Sequence, residues 1–108
     1  MSPSSTSPPA VALMWPDTLL MAGDVDVSVV RRFTWSDRLA AVEMVDLSAA
    51  TSLDTSAVRL LLRCVEQVRR HHPGRRLQVV GASPRVRAAL EPCRVDTLVD
   101  LVDLASDD

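Results

Sequence analysis

From Ala57 onward the polar and apolar positions separate around a helical wheel. Ala57, Leu61, Cys64 and Val68 recur at steps of three and four on one side, while Arg59, Arg63, Glu66 and Arg70 fall on the other. The spacing predicts a helix from Ser56 to about Arg70, stopped by Pro73-Gly74. At about 1.5 Å per residue it is roughly 22 Å long, enough to cover a small sheet. Upstream, Val42 to Leu47 is apolar on both faces, the pattern of a strand in a largely parallel sheet covered by helices on both sides. A short polar turn is then expected to carry the chain into the helix.

The remaining elements are read the same way. Val11 to Trp15 and Thr18 to Ala22 are short apolar runs parted by Pro16-Asp17, which predicts two strands joined by a tight turn. Gly23-Asp24-Val25-Asp26 breaks that pattern. Between Val27 and Ala41, Val29, Val30, Phe33, Leu39 and Ala40 alternate with Arg31, Arg32, Asp37 and Arg38 in a loosely helical rhythm, interrupted by Thr34 and Ser36. Leu77 to Ala82 is a second buried-type strand. Ser83-Pro84 then opens a helix with Ser as cap and Pro at the first helical position, expected to end near Pro92. Leu98 to Leu104, broken by Asp100 and Asp103, fits either a final strand or one or two helical turns. Strands alternating with helices imply an α/β domain with a four- to five-stranded mixed sheet and helices packed against it.

At 108 residues and 47% hydrophobic, the chain suits one core. The Ser-, Pro- and Thr-rich start implies a disordered tail over residues 1–10, a domain over 11–104 and an acidic tail over 105–108. Twelve basic and 14 acidic residues leave a formal charge of -2, and with only 3% aromatics no basic block carries the interleaved rings of a nucleic-acid surface. No apolar run approaches the roughly 20 residues that span a bilayer, and no signal-like start is evident, so a cytoplasmic protein with no direct membrane insertion is expected. Cys64 and Cys93 are then best read as reduced thiols, Cys64 packing as a small hydrophobe. Adjacent His71 and His72 point in different directions on a helix and lack further ligands at suitable spacing, so no metal or cofactor is expected. Nothing in the chain meets the requirements of an active site, and a non-enzyme is the expectation.

The chemistry worth weighing lies at Asp54-Thr55-Ser56, just before the helix. These residue types cap helices by satisfying the first unpaired N–H groups, and a cap alone is worth about 1 kcal/mol. A helix N-terminus also favours a phosphate, so a hydroxyl there suits regulated modification. Asp24 and Asp26 taken alone read as solvated turn carboxylates, and Arg59, Arg63 and Arg70 as a solvated helix face.

Gly23-Asp24-Val25-Asp26, the strand Val45-Asp46-Leu47-Ser48, Asp54-Thr55-Ser56-Ala57-Val58 with its Leu-rich helix, Leu77-Gln78-Val79-Val80-Gly81 and Ser83-Pro84-Arg85-Val86 together resemble the STAS domain. That is the domain of anti-sigma-factor antagonists and of sulphate transporter tails, and the likeness covers roughly residues 18 to 102. The resemblance implies a phosphorylatable hydroxyl at the third place of an Asp-Ser-Ser-Gly or Asp-Ser-Thr-Gly pattern, which is Ser56, with Asp54 and Thr55 at the first two. Gly23 and Asp26 match the family's Gly-x-x-Asp element near the partner surface. The implied partner is an anti-sigma factor, usually a protein-serine kinase, held by a surface including Asp26, Asp54, Thr55, Ser56 and Ala57 and released on phosphorylation. Residue 57 is Ala where Gly is commoner, placing a methyl group where a partner backbone is expected to approach. A second branch, the cytoplasmic subunit of ABC transporters that maintain outer-membrane lipid asymmetry, is similar at Asp17-Thr18-Leu19, Trp35 and Asp54-Thr55. There the residue of interest is Thr55 and the partner is the transporter ATPase.

Overall fold

The computed structural model describes residues 11–14, 17–33, 39 and 41–102. Strands β1 (Val11–Met14) and β2 (Thr18–Val25) lead into helix α1 (Val27–Phe33), then β3 (Met44–Leu53), α2 (Thr55–His71) and β4 (Leu77–Val80). Helix α3 (Pro84–Leu90) runs through a 3-10 turn at Glu91–Cys93 into α4 (Val95–Leu98) and β5 (Val99–Val102). The described residues form a five-stranded sheet in the order β1-β2-β3-β4-β5, with β1 antiparallel to β2 and every other pair parallel. The expected mixed α/β sheet is present, and the open question at the C-terminal apolar run resolves as α4 followed by β5. Both expected tails, like Trp15 of the first predicted strand and Pro16 of the predicted turn, lie outside the described residues.

Because the parallel strands follow one another across the sheet, right-handed crossovers put every connecting helix on the same face. The register shows the result. Leu19, Val45 and Val79 stand side by side and are fully buried, whereas Thr18 and Met44 beside them are half-buried and Gln78 is exposed. This corrects the expectation of helices on both faces: Met44 and Asp46 of β3 face away from the main core. That core is filled from the helical side by Leu60, Leu61, Cys64 and Val68 of α2, Val86 and Leu90 of α3, and Val95 of α4. The buried face of α2 is the predicted one, widened by Val58, Leu60 and Val65. Burial pushes the Cys64 thiol up to about 12, so it behaves as an inert apolar group.

Two further differences have identifiable causes. The segment expected to be a polar turn, Ser48 to Leu53, continues β3 and pairs with β2 as far as Val25–Leu53. Two register shifts along this pair add residues to the β3 side, so core-facing positions pass from Leu47 to Ala50 to Leu53 at steps of three. The helix expected to reach Ala41 is α1, ending at Phe33. Residues 34–38 and 40 lie outside the described residues, and Val42 N–H donates to the Leu39 carbonyl at 3.1 Å in a tight turn before β3. Where β4 ends, Gly81 takes φ +74°, and a Cβ there would lie 2.6 Å from Ser48 Cβ. Only glycine lets the two chains approach that closely.

Candidate functional site

The carboxyl ends of β2 and β3 lie together, with Val25 opposite Leu53, and each strand passes through one aspartate into a helix. Asp54 N–H donates to the Val25 carbonyl at 3.1 Å, which fixes the start of α2 against the end of β2. Its extended backbone and its Oδ1, which accepts from Ala57 N–H at 3.0 Å, make Asp54 the N-cap of α2. Asp26 does the same for α1. Its Oδ1 accepts from Ser28 N–H at 3.0 Å, Ser28 Oγ at 2.7 Å and Val29 N–H at 3.3 Å. The Ser28 hydroxyl, then the Val29 amide, hold the Asp26 carboxyl below its ordinary value.

Asp24, expected from its neighbours to be a solvated turn carboxylate, supplies a third tie. Its Oδ1 accepts from Thr51 Oγ1 and Ser52 Oγ, each at 2.7 Å, joining the last turnings of β2 and β3 across 27 and 28 residues. These hydroxyls, Thr51 first, hold the Asp24 carboxyl below its ordinary value, with a smaller contribution from the charge of Arg85 at the start of α3. That start is capped by Ser83 Oγ, which accepts from Val86 N–H at 3.2 Å.

On this frame the first turn of α2 presents its hydroxyls unequally. Thr55 is exposed and Ser56 half-buried. Ser56 lines a recess of about 150 Å³ between the two helices, with Val27, Val30 and Arg31 from α1 and Arg59, Leu60 and Arg63 from α2. Ala57 is fully buried in the core. The expectation that Ala57 belongs to the partner surface is therefore corrected: its methyl group is packed in the core. The structure thus gathers Asp26, Asp54, Thr55 and Ser56 at one end of the sheet and withdraws Ala57 from that surface. Arg59 and Arg63, expected to be a solvated helix face, line this recess, and their positions three and seven residues after Ser56 place them on its side of the helix. Among the described residues no group of three or more His, Cys, Asp or Glu side chains is arranged to hold a metal ion. No helix of the described residues is long and apolar enough to cross a membrane.

A sheet of this order, with a short polar strand-to-helix junction at its carboxyl end, is matched by a family model described as "Mlab, STAS domain" over residues 16–103. The chain belongs to the STAS domain family. A search of curated proteins gave no match. Among solved structures, this STAS domain is similar to a Thermotoga maritima protein described as a candidate anti-sigma factor antagonist, with TM-score 0.65, 13% identity and coverage of 87% of this chain and 86% of that one. It is also similar to the anti-sigma factor antagonist SpoIIAA in its unphosphorylated form, with TM-score 0.59, 16% identity and 90% of each chain covered. At these identities the likeness is one of fold.

Proposed function

We propose that this STAS domain is a non-catalytic, cytoplasmic antagonist of an anti-sigma factor, which it sequesters through the carboxyl end of its sheet and releases when Ser56 is phosphorylated. The observation that carries this reading is the presentation of Thr55 and Ser56. Asp54 caps α2 and is tied to β2, so both hydroxyls are held on a rigid first turn rather than on a loop. The fold shared with anti-sigma factor antagonists supports the same reading. In the switch, the Ser56 hydroxyl oxygen takes the γ-phosphoryl group of ATP from a partner kinase with Mg²⁺, the bond to ADP breaks, and the hydroxyl proton is lost to solvent. The product carries about -1.5 to -2 additional charges at the interface.

One observation favours a second reading. The matching family model bears the description Mlab, and the Asp54-Thr55 pair also fits the accessory subunit of a lipid-asymmetry transporter. In that case Thr55 makes the contact, and the partner is the transporter ATPase. Incubation with the cognate kinase and labelled ATP separates the two. Label on Ser56 that is absent from Ser56→Ala supports the antagonist, whereas no label on either hydroxyl and normal binding of Ser56→Asp to a transporter ATPase would favour the accessory subunit.

A further inference from the structure

The recess beside Ser56 is lined by arginines and by no carboxylate among the described residues. Three of the seven described residues that line it are arginines, one from α1 and two from α2. Arg59 and Arg63 form no ion pair with any described residue. Helical side chains lean toward the N-terminus of their helix, so both extend back along α2 toward Ser56 from one and two turns away. Arg31 lines the recess from the α1 side. The volume of about 150 Å³ corresponds to roughly five waters, room for a phosphoryl group and its first partners.

We infer that a phosphoryl group on Ser56 is received within the domain itself, by a built anion receptor in which Arg59 and Arg63, with Arg31 opposite, bridge α2 to α1. The inference rests on the reading of Ser56 as the acceptor and adds where the phosphate goes. The carboxylates at this end are Asp24, Asp26 and Asp54, and each already spends an oxygen on strand hydroxyls or helix N–H groups, while Glu66 shares the outer side of α2 with Arg59 and Arg63. The helix terminus itself contributes positive potential. Guanidinium forks match phosphate oxygens bidentately, and one phosphate accommodates several such charge-assisted bonds. Phosphorylation then fills the groove between α1 and α2 and ties the two helices together, so the modified surface is both differently charged and more rigid.

The test needs neither kinase nor partner. The protein is made with phosphoserine incorporated at position 56, in the parent and in an Arg59→Gln/Arg63→Gln double variant, and each is compared with its unmodified counterpart by thermal melting and by amide exchange across α1 and the first turn of α2. Both arginines are exposed, so the unmodified double variant is expected to fold and melt close to the parent. Phosphorylation should raise the parent melting temperature by about 4 to 8 °C and slow exchange in both helices, and both effects should vanish in the double variant. Equal shifts in the two backgrounds, or a lowered melting temperature in the phosphorylated parent, would overturn the receptor. A kinase that never labels Ser56 would instead defeat the functional reading while leaving this result in place.

Discussion

At the amino end of the parallel strands Arg75 pairs with Glu43 at 3.0 Å and Arg76 with Asp100 at 3.1 Å, while at the carboxyl end Arg59 and Arg63 line the Ser56 recess without an ion-pair partner among the described residues. The amino end also has the larger recess, about 450 Å³ against about 150 Å³. Its charges are nonetheless spent on one another: His72 Nε2 lies 3.9 Å from Glu43, and Arg76 also donates to the Thr97 and Val99 carbonyls at 2.7 and 3.1 Å. The carboxyl end spends its carboxylates on caps and strand ties, and leaves two hydroxyls and two cations facing outward. Uncommitted chemistry, rather than the size of the hollow, marks the end proposed to meet a partner.

The largest expected effect belongs to neither end. Leu61 is fully buried at the centre of α2, and Leu61→Ala should destabilise the domain by about 2 to 5 kcal/mol. A denaturant midpoint that does not move would show that the packing common to both ends is misassigned. Gly81→Ala strikes the carboxyl end alone, because the added Cβ meets Ser48 backbone and side chain at 2.6 to 2.9 Å at a residue with φ +74°. A loss of about 1 to 3 kcal/mol is expected from strain of this kind, with exchange accelerated first around Ser48 and Gly81.

Smaller changes sharpen the contrast. Asp54→Ala removes the α2 cap and should cost about 1 kcal/mol, whereas Arg75→Ala breaks an exposed ion pair and should cost at most about 1 kcal/mol, with a median nearer zero. Equal, large losses from both would erase the distinction between capping and surface pairing. The acid response is subtler still. Asp24 and Asp26 are held below the ordinary carboxyl value of 3.8 when folded, so their ionisation favours the folded state above that pH. This contribution is lost as pH falls through 3.8 toward the lower folded-state values. Thr51→Val/Ser52→Ala removes the principal cause of the Asp24 shift, and should flatten the decline in denaturant midpoint as pH falls below 3.8.

How far the sequence reveals these features depends on the range of the interactions behind them. Helix α2 is legible because its periodicity is local and strong, and the buried set Ala57, Leu61, Cys64 and Val68 follows directly. The second half of β3 is not. Two bulges change its burial step from two to three, and Ser48, Thr51 and Ser52 are turn-forming types whose strand state depends on pairing with β2. One-sided burial of the sheet emerges from crossover direction rather than from any single strand. At the site, Asp54 was legible as a cap, and Asp26 carried the same signal in its position just before Val27. The Asp24 tie joins residues 27 and 28 positions apart and leaves no local mark. Ala57 carries two signals, a core position by periodicity and a partner-surface position by the family pattern, and its full burial agrees with the first because the family pattern gives residue type without orientation.

The central claim, that the carboxyl end rather than the amino end meets the partner, is tested most directly by calorimetric titration of a cognate anti-sigma factor with two variants. Ser56→Asp should weaken binding on the order of a hundredfold, the effect of one like-charge contact at about 5 Å in an interface of effective dielectric about 20, while Arg75→Ala/Arg76→Ala at the amino end should bind as the parent does. Normal binding by Ser56→Asp together with lost binding by the amino-end variant would contradict the account.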